Sequence, residues 1–429
     1  MSSVVALDVA RELRARRVPA CRPIDVALLG CGNVGAAFAA LTTRPHATAL
    51  PVEISTALVR DARRDRPGLR GGALRTSRAD QVFAGTPDVV VELLGGTDPA
   101  RTLVLEALQR QIPVVTANKS LLARHGQELR EASATTLTPL LYEAAVIAGV
   151  PFLGTFARRP YAAQISSLVG IANGTSNYVL TRAAVDRVGI DTALTDAQRH
   201  GYAEPDPAND VDGIDAVEKL TVLLQHFAGT DIAPADIETR GLRTLTAAEL
   251  EDASALDGTI KPVIVADWSS TLSAFVGPAF VPRDHLLASV DGAENALVLS
   301  GPRGRIVFRG PGAGPDITAA TVLDDVFEAV AGGGPSPAAP LQRQASGAPE
   351  TEWFVSLSSE RLPRALDIAD LLASHGVFIR RTGARRSTHG IERVSALAWP
   401  STRPRLERAL SALEAAAGCR ATAFRALDV

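Results

Sequence analysis

The sequence predicts an α/β protein in three parts: a doubly wound parallel sheet, a second α+β domain and a small C-terminal βαββαβ unit. Three observations carry this. A buried-type strand, I-D-V-A-L-L, runs straight into the glycine turn G-C-G-N-V-G and then a helix. Further buried strands alternate with helical stretches as far as residue 143, the pattern of a parallel sheet. Beyond a Gly/Pro/Ala-rich stretch at 331–349, strands and helices recur in the order of the split ferredoxin-like motif.

The 429 residues allow two to four domains, at roughly 100–200 residues each. A formal net charge of −3 supplies no polybasic surface, so neither nucleic acid nor a membrane is an expected partner. Cys21, Cys31 and Cys419 are widely spaced and odd in number, which argues against a disulfide framework or a thiolate metal site. No apolar run reaches the roughly 18 residues of a spanning helix, and the first residues lack a signal-peptide core. The expected location is the cytoplasm.

Residues 1–22 read as a short helical arm carrying Arg11, Arg14, Arg16 and Arg17. The first domain, 23–150, opens with the strand Ile24 to Leu29. In the turn that follows, Gly30 makes the bend, Gly32 lets backbone approach a pyrophosphate, and Gly35 lets helix meet strand. The helix from Ala36 to Leu41 then points its N-terminus at the phosphates of a dinucleotide, as in a Rossmann-type domain. A tight βα turn without nucleotide is the alternative. The second strand, Ile54 to Val59, ends at Arg60-Asp61. Arg60, with Arg63 and Arg64 nearby, suits the 2′-phosphate of NADP rather than the ribose of NAD; the alternative is a solvated basic loop. Val89 to Leu93 leads into Gly95-Gly96, and residues 100–110 form a crossover helix. Ile112 to Thr116 runs into T-A-N-K-S, placing Lys119 just past a strand's carboxyl end, where ligands of open parallel sheets bind. Leu140 to Glu143 closes the domain.

The second domain, 151–314, contains a strand from Ser167 to Ala172 that enters the polar turn N-G-T-S-N-Y, with a helix cap expected at Thr175 or Ser176. Later strands are Lys261 to Val265, Ala274 to Pro278, Ala296 to Ser300 and Arg305 to Phe308. A second glycine turn, G-P-G-A-G at 310–314, precedes a helix over 315–330 that returns to the first domain. Residues 331–349 read as a flexible linker. The last unit, 350–429, has strands Trp353 to Leu357, Val377 to Arg381, Ile391 to Trp399 and Arg420 to Leu427, with helices Pro363 to His375 and Arg403 to Ala416.

The most informative stretch runs from His200 to Leu220. It sets Glu204, Asp206, Asp210, Asp212, Asp215 and Glu218 against one cation, Lys219. Pro205 and Pro207 keep its first half out of helix. From Asp212 or Gly213 onward, Ile214, Val217, Leu220 and Leu224 recur at helical spacing, so Asp215 and Lys219 leave one face four residues apart. Such a pair also serves as an exposed ion pair worth a few tenths of a kcal/mol. Composition weighs against that: the chain has 44 Lys+Arg but only three lysines, Lys119, Lys219 and Lys261. Lysine can lose its proton when desolvated and arginine effectively cannot, so Lys219 beside Asp215 reads as proton-transfer equipment.

From Ile24 to about Val326 the chain resembles the homoserine dehydrogenase family. The matching motifs are L-L-G-C-G-N-V-G, T-A-N-K-S, E-A-A-V-I-A-G-V-P, G-I-A-N-G-T-S-N-Y, the long acidic stretch and G-P-G-A-G, in the family's order. The resemblance implies NAD(P)H-dependent interconversion of L-aspartate 4-semialdehyde and L-homoserine, with a substrate-binding and dimerisation role for the second domain. It implies Lys219 as the acid/base, Asp215 holding substrate and biasing Lys219, and Lys119 between nicotinamide and substrate. Glu204 and Asp210 would bind the substrate ammonium, with Gly201 beside them. Asn33, Val34, Arg60, Gly95 and Gly312 would contact the dinucleotide. A sodium ion is implied at the carbonyls of Glu143, Val146, Ala148 and Val150, with Ile147 and Ala148 bulkier than usual there. The last unit resembles an ACT domain, implying an amino-acid effector such as threonine, although its segment 382–390 is Arg-rich and polar for such an interface. A homodimer or homotetramer is expected. A related dehydrogenase for another amino or 3-oxo acid and a non-catalytic amino-acid sensor are the other readings; the complete catalytic set argues against the second.

Overall fold

The computed structural model describes residues 22–427 except 45–49, 67, 70, 158, 160–163, 334–348 and 389. The expected N-terminal arm and most of the expected linker lie outside the described residues.

Six strands form the first sheet: β1 Ile24–Leu29, β2 Val52–Leu58, β3 Leu74–Thr76, β4 Val89–Glu92, β5 Val114–Thr116 and β6 Leu140–Leu141. Their order is β3-β2-β1-β4-β5-β6, and every pairing is parallel. Parallel sheets are covered on both faces, which is why Ile24, Val26, Leu28 and Leu29 of β1 and Val89, Val90 and Val91 of β4 have almost no exposure. The strand order reverses between β1 and β4, and such a switch point opens a crevice at the carboxyl ends of the strands. Helix Pro315–Val330 packs Ala319, Val322 and Val326 with Phe38 and Ala39 of helix Asn33–Leu41.

The second sheet comprises β7 Ser167–Ile171, β8 Glu238–Thr239, β9 Gly258–Asp267, β10 Ser273–Pro282, β11 Glu294–Gly301 and β12 Gly304–Pro311. The tail adds β13 Glu350–Ser359, β14 Ile379–Thr382, β15 Arg386–Thr388, β16 Ile391–Thr402 and β17 Arg420–Ala426. The path is β12-β11-β7-β9-β10-β17-β13-β16-β14. With helices Ala365–Ser374 and Arg403–Ala417, the tail has the expected βαββαβ order, plus the short β15.

The tail is joined to the second domain as one sheet: β17 pairs in parallel with β10 through Ala279↔Arg425 and Phe280↔Ala426. Phe280 stacks on Phe354 at 5.3 Å, and Phe354 meets Phe424 at 6.1 Å, so one aromatic core crosses the join. Ion pairs fasten the join as well, and Arg386 of the polar 382–390 segment makes one of them. Buried Asp252, on helix Ala247–Ser254, takes Arg386 and Arg393, while Glu238 takes Arg403 and Arg425.

Candidate active site

The crevice at the switch point is a cavity of about 420 Å³. Its walls come from both glycine turns, from the T-A-N-K-S segment and from the start of helix Ile214–Phe227. That helix is buried nearly all round, so its polar members face protein or the cavity rather than bulk water. Gly213 caps it at φ +81°, a backbone that side chains rarely adopt, and a Cβ there would also meet Thr239.

Asp215 is the hub. Its Oδ2 lies 2.8 Å from Lys219 Nζ, one turn along the helix, and its Oδ1 lies 3.1 Å from Lys119 Nζ. Lys219 is 7% exposed and also donates to the Ala172 carbonyl at the end of β7, at 2.7 Å. Asn173, next in the chain, donates one amide to both Asp210 Oδ1 (2.7 Å) and Asp215 Oδ2 (2.8 Å). Burial pushes Asp215 toward protonation, but the ammonium groups of Lys219 and Lys119 outweigh it and hold the carboxyl at about 2. Burial likewise opposes the Lys119 charge, and the Asp215 carboxylate overcomes it, raising that amine above its ordinary value. Asp210 is pushed up by burial. The two lysine-bearing helices are locked together by Glu218, which accepts from Ser120 Oγ (2.6 Å) and Arg124 Nη1 (2.7 Å).

On the opposite wall, Gly30 has φ +93°, and a Cβ there would lie 2.5 Å from the Leu93 carbonyl. Gly32 is the reverse case, with open space where its Cβ would be. Helix Asn33–Leu41 starts three residues earlier than expected, with Gly32 as its cap and no side-chain cap hydrogen bond. Backbone N–H groups so exposed fit a pyrophosphate. Arg66 reaches back to the turn and donates to the Cys31 carbonyl at 2.6 Å.

Val34, Gly95, Lys119, Val146, Ala148, Asp215, Lys219 and Gly312 all line the cavity. Gly30, Gly32, Asn33 and Gly35 form the turn beside it, and exposed Arg60 stands at the end of β2. Asp210 joins through Asn173. Gly201 and Glu204 do not line it; both are exposed on the loop after helix Ile190–Arg199, which Thr175 tethers by donating to the Tyr202 carbonyl at 2.6 Å. Residues 208–211 form one helical turn, Pro207 capping rather than preventing it. Buried Val150 and Glu143 lie off the cavity, and the Glu143 carboxylate accepts from the N–H groups of Phe152, Leu153 and Gly154 at 2.7–2.9 Å. The cap expected at Thr175 or Ser176 is Asn173, whose side-chain oxygen accepts from the Ser176 N–H at 2.7 Å. Asn173, Ala172, Asn118 and Glu218 are site residues that the sequence reading missed. The turn N-G-T-S-N-Y directly after a strand was the available signal for Asn173.

A larger cavity, about 650 Å³, lies elsewhere, bordered by Arg187, Arg283, Arg386 and Glu251. It contains none of the three lysines.

A dinucleotide-type glycine turn beside an ammonium–carboxylate–ammonium set, with Lys219 its buried member, defines a nicotinamide-dependent oxidoreductase. Comparison with known proteins agrees. The family model for homoserine dehydrogenase matches residues 151–327, and that for the homoserine dehydrogenase NAD binding domain matches 30–143. The homoserine dehydrogenase of Synechocystis sp. is 35% identical over 72% of this chain and 73% of its own length. That of Corynebacterium glutamicum is 35% identical over 83% and 85%. The crystal structure of a homoserine dehydrogenase from Thiobacillus denitrificans superposes with a TM-score of 0.84 at 30% identity, covering 95% of this chain and 99% of that one. The chain belongs to the homoserine dehydrogenase family, and so is an oxidoreductase with an NAD(P)-binding domain. Among the described residues, no helix is long and apolar enough to cross a membrane.

Proposed function

We propose that this oxidoreductase interconverts L-aspartate 4-semialdehyde and L-homoserine, using NADP in preference to NAD. The observation that carries the reading is Asp215 gripping both Lys119 and Lys219 in the cavity the glycine turns share. The dinucleotide supplies or accepts the hydride. An ammonium has three N–H donors. Lys219 gives two of them to Ala172 O and Asp215 Oδ2, leaving the third to protonate the aldehyde oxygen as hydride arrives. In reverse, the amine takes that proton from the alcohol. Such acid–base help contributes about 10²–10⁴ in rate. Lys119 stands between nicotinamide and substrate, and Asp215 keeps both ammonium groups oriented. Asp210, held by Asn173, binds the substrate ammonium, with Glu204 and Gly201 completing that end from the loop above.

Asn33, Val34, Gly95 and Gly312 take the dinucleotide with Gly30, Gly32 and Gly35, and Arg60 takes the 2′-phosphate. The guanidinium of Arg66, held on the Cys31 carbonyl, adds positive charge at the glycine turn, where the pyrophosphate would lie. The carbonyls of Glu143, Val146, Ala148 and Val150 suit a hard cation by donor type, and sodium there would stiffen the loop lining the cavity. The Ala148 carbonyl already accepts from Thr321 Oγ1 at 2.5 Å, leaving it one lone pair. The tail is an ACT-like unit for an amino-acid effector of the threonine kind. The working form is a homodimer or homotetramer in the cytoplasm.

The test is the absorbance of reduced nicotinamide when homoserine is added with NADP or NAD, with and without sodium and threonine. NADP should be reduced faster, and Arg60→Ala should raise KM for NADP about tenfold while leaving NAD unchanged. No reduction of either dinucleotide would overturn the reading.

A further inference from the structure

Glu92 is the one charged residue in the strand V-V-V-E, and it is fully buried. Burying a carboxylate is costly unless it is hydrogen-bonded. Its Oε1 accepts from the Leu94 N–H at 2.8 Å and from Asn118 Nδ2 at 3.3 Å, and its Oε2 accepts from Thr116 Oγ1 at 2.6 Å. The Thr116 oxygen in turn accepts from the Asn118 N–H at 3.0 Å. Asn118 also donates to the Gly96 carbonyl at 2.6 Å, and its Oδ1 caps helix Lys119–Thr136 by accepting from the Leu121 N–H at 3.1 Å. One carboxylate therefore ties together the ends of β4 and β5, the Gly95–Gly96 turn and the cap of the helix whose first residue is Lys119. Both segments it joins, 93–96 and 117–120, line the cavity.

We infer that Glu92 is a positioning residue for the reaction: through Thr116 and Asn118 it fixes the glycine turn and the Lys119 ammonium as a single rigid wall. A hydrophobic residue would satisfy the sheet core equally well; it would not set the Asn118 amide. The donors are neutral, so the carboxylate is shared by geometry rather than consumed in an ion pair. This rests on the role proposed above for Lys119.

The experiment compares Glu92→Gln, Asn118→Ala and the double variant with the parent for Tm, dinucleotide affinity, kcat and KM. A misplacement of about 1 Å at a reacting group costs on the order of 10²-fold. Glu92→Gln should fold and bind dinucleotide, with kcat lower by roughly 10- to 100-fold and KM for homoserine within about threefold. Residues acting as one unit are non-additive, so the double variant should be no slower than the slower single. Should Glu92→Gln fail to fold, Asn118→Ala carries the same expectation. Parent-like kcat in a folded variant, or a loss that merely tracks the folded fraction, overturns the inference. Lys119→Ala separates the failures. If it keeps normal turnover, the site assignment falls and the positioning role with it. If it is inactive while Glu92→Gln and Asn118→Ala are normal, only the positioning role falls.

Discussion

Two carboxylates, one mostly and one fully out of solvent, each hold a pair of cations here, and they do it with different chemistry. Asp215 in the cavity holds Lys119 and Lys219; Asp252 at the join between the second domain and the tail holds Arg386 and Arg393. At Asp252, Arg393 presents Nε at 3.0 Å and Nη2 at 2.7 Å to one oxygen, and Ser356 adds a hydroxyl at 2.5 Å. Arginine stays protonated at any accessible pH and offers a planar, fixed fork, which suits a permanent fastening. The lysines present a point charge that rotates, and one that can give up its proton. The same carboxylate-and-two-cations arrangement is thus a rivet in one place and, on the role proposed for Lys219, a proton-handling site in the other. What decides is which cation is used and whether a cavity adjoins it.

That contrast makes predictions of decreasing size. Asp215→Asn leaves both ammonium groups without their shared anion, and kcat should fall by about 10²-fold or more with dinucleotide binding retained. Asp252→Ala should do the opposite: kcat per folded molecule unchanged, with stability lower by about 3 kcal/mol in denaturant unfolding, because two partly buried guanidinium groups lose their anion. A parent-like midpoint would show that the tail is fastened by its aromatic core alone.

A third prediction separates charge that is used from charge that is avoided. His226 is buried against Tyr142, with its Nδ1 3.0 Å from the hydroxyl, and burial lowers its pKa to about 4. Its folded pKa lies below the unfolded value, so the unfolded chain binds the proton first as pH falls. Stability is therefore unaffected above about pH 6.5 and declines between 6.5 and 4, by about 2 kcal/mol at pH 5. His226→Gln should lack that component of the decline. Asp215 has the reverse sign: its carboxyl lies below the unfolded value near 3.9, so its contribution is complete above that and is lost only as pH falls toward about 2.

The parts of this arrangement that a sequence can disclose are those written within one segment. The glycine turn after β1, the four-residue spacing of Asp215 and Lys219, and Lys119 beyond the end of β5 are all local, and all meet at one cavity. Of the three lysines, Lys119 and Lys219 line that cavity and Lys261 does not. Lys261 is structural, donating to the Val290 carbonyl and Asp291 at 2.7 Å each. Asn173, Glu92 and Asn118 stayed hidden because their meaning lies in partners 24 to 42 positions away, on other strands and helices. The union of β17 with β10 is hidden for the same reason, as edge pairing depends on long-range register. The two- and three-residue strands β3, β8 and β15 are too short for any periodicity to reveal.

In the proposed reaction Lys219 passes a proton rather than merely balancing Asp215. The most direct test of this is kcat for homoserine oxidation by Lys219→Arg, with dinucleotide binding followed by fluorescence. Arginine keeps the charge and a hydrogen bond to the carboxylate but does not give up its proton, so turnover should drop by at least about 10²-fold while binding survives. A rate within about threefold of the parent would contradict the account.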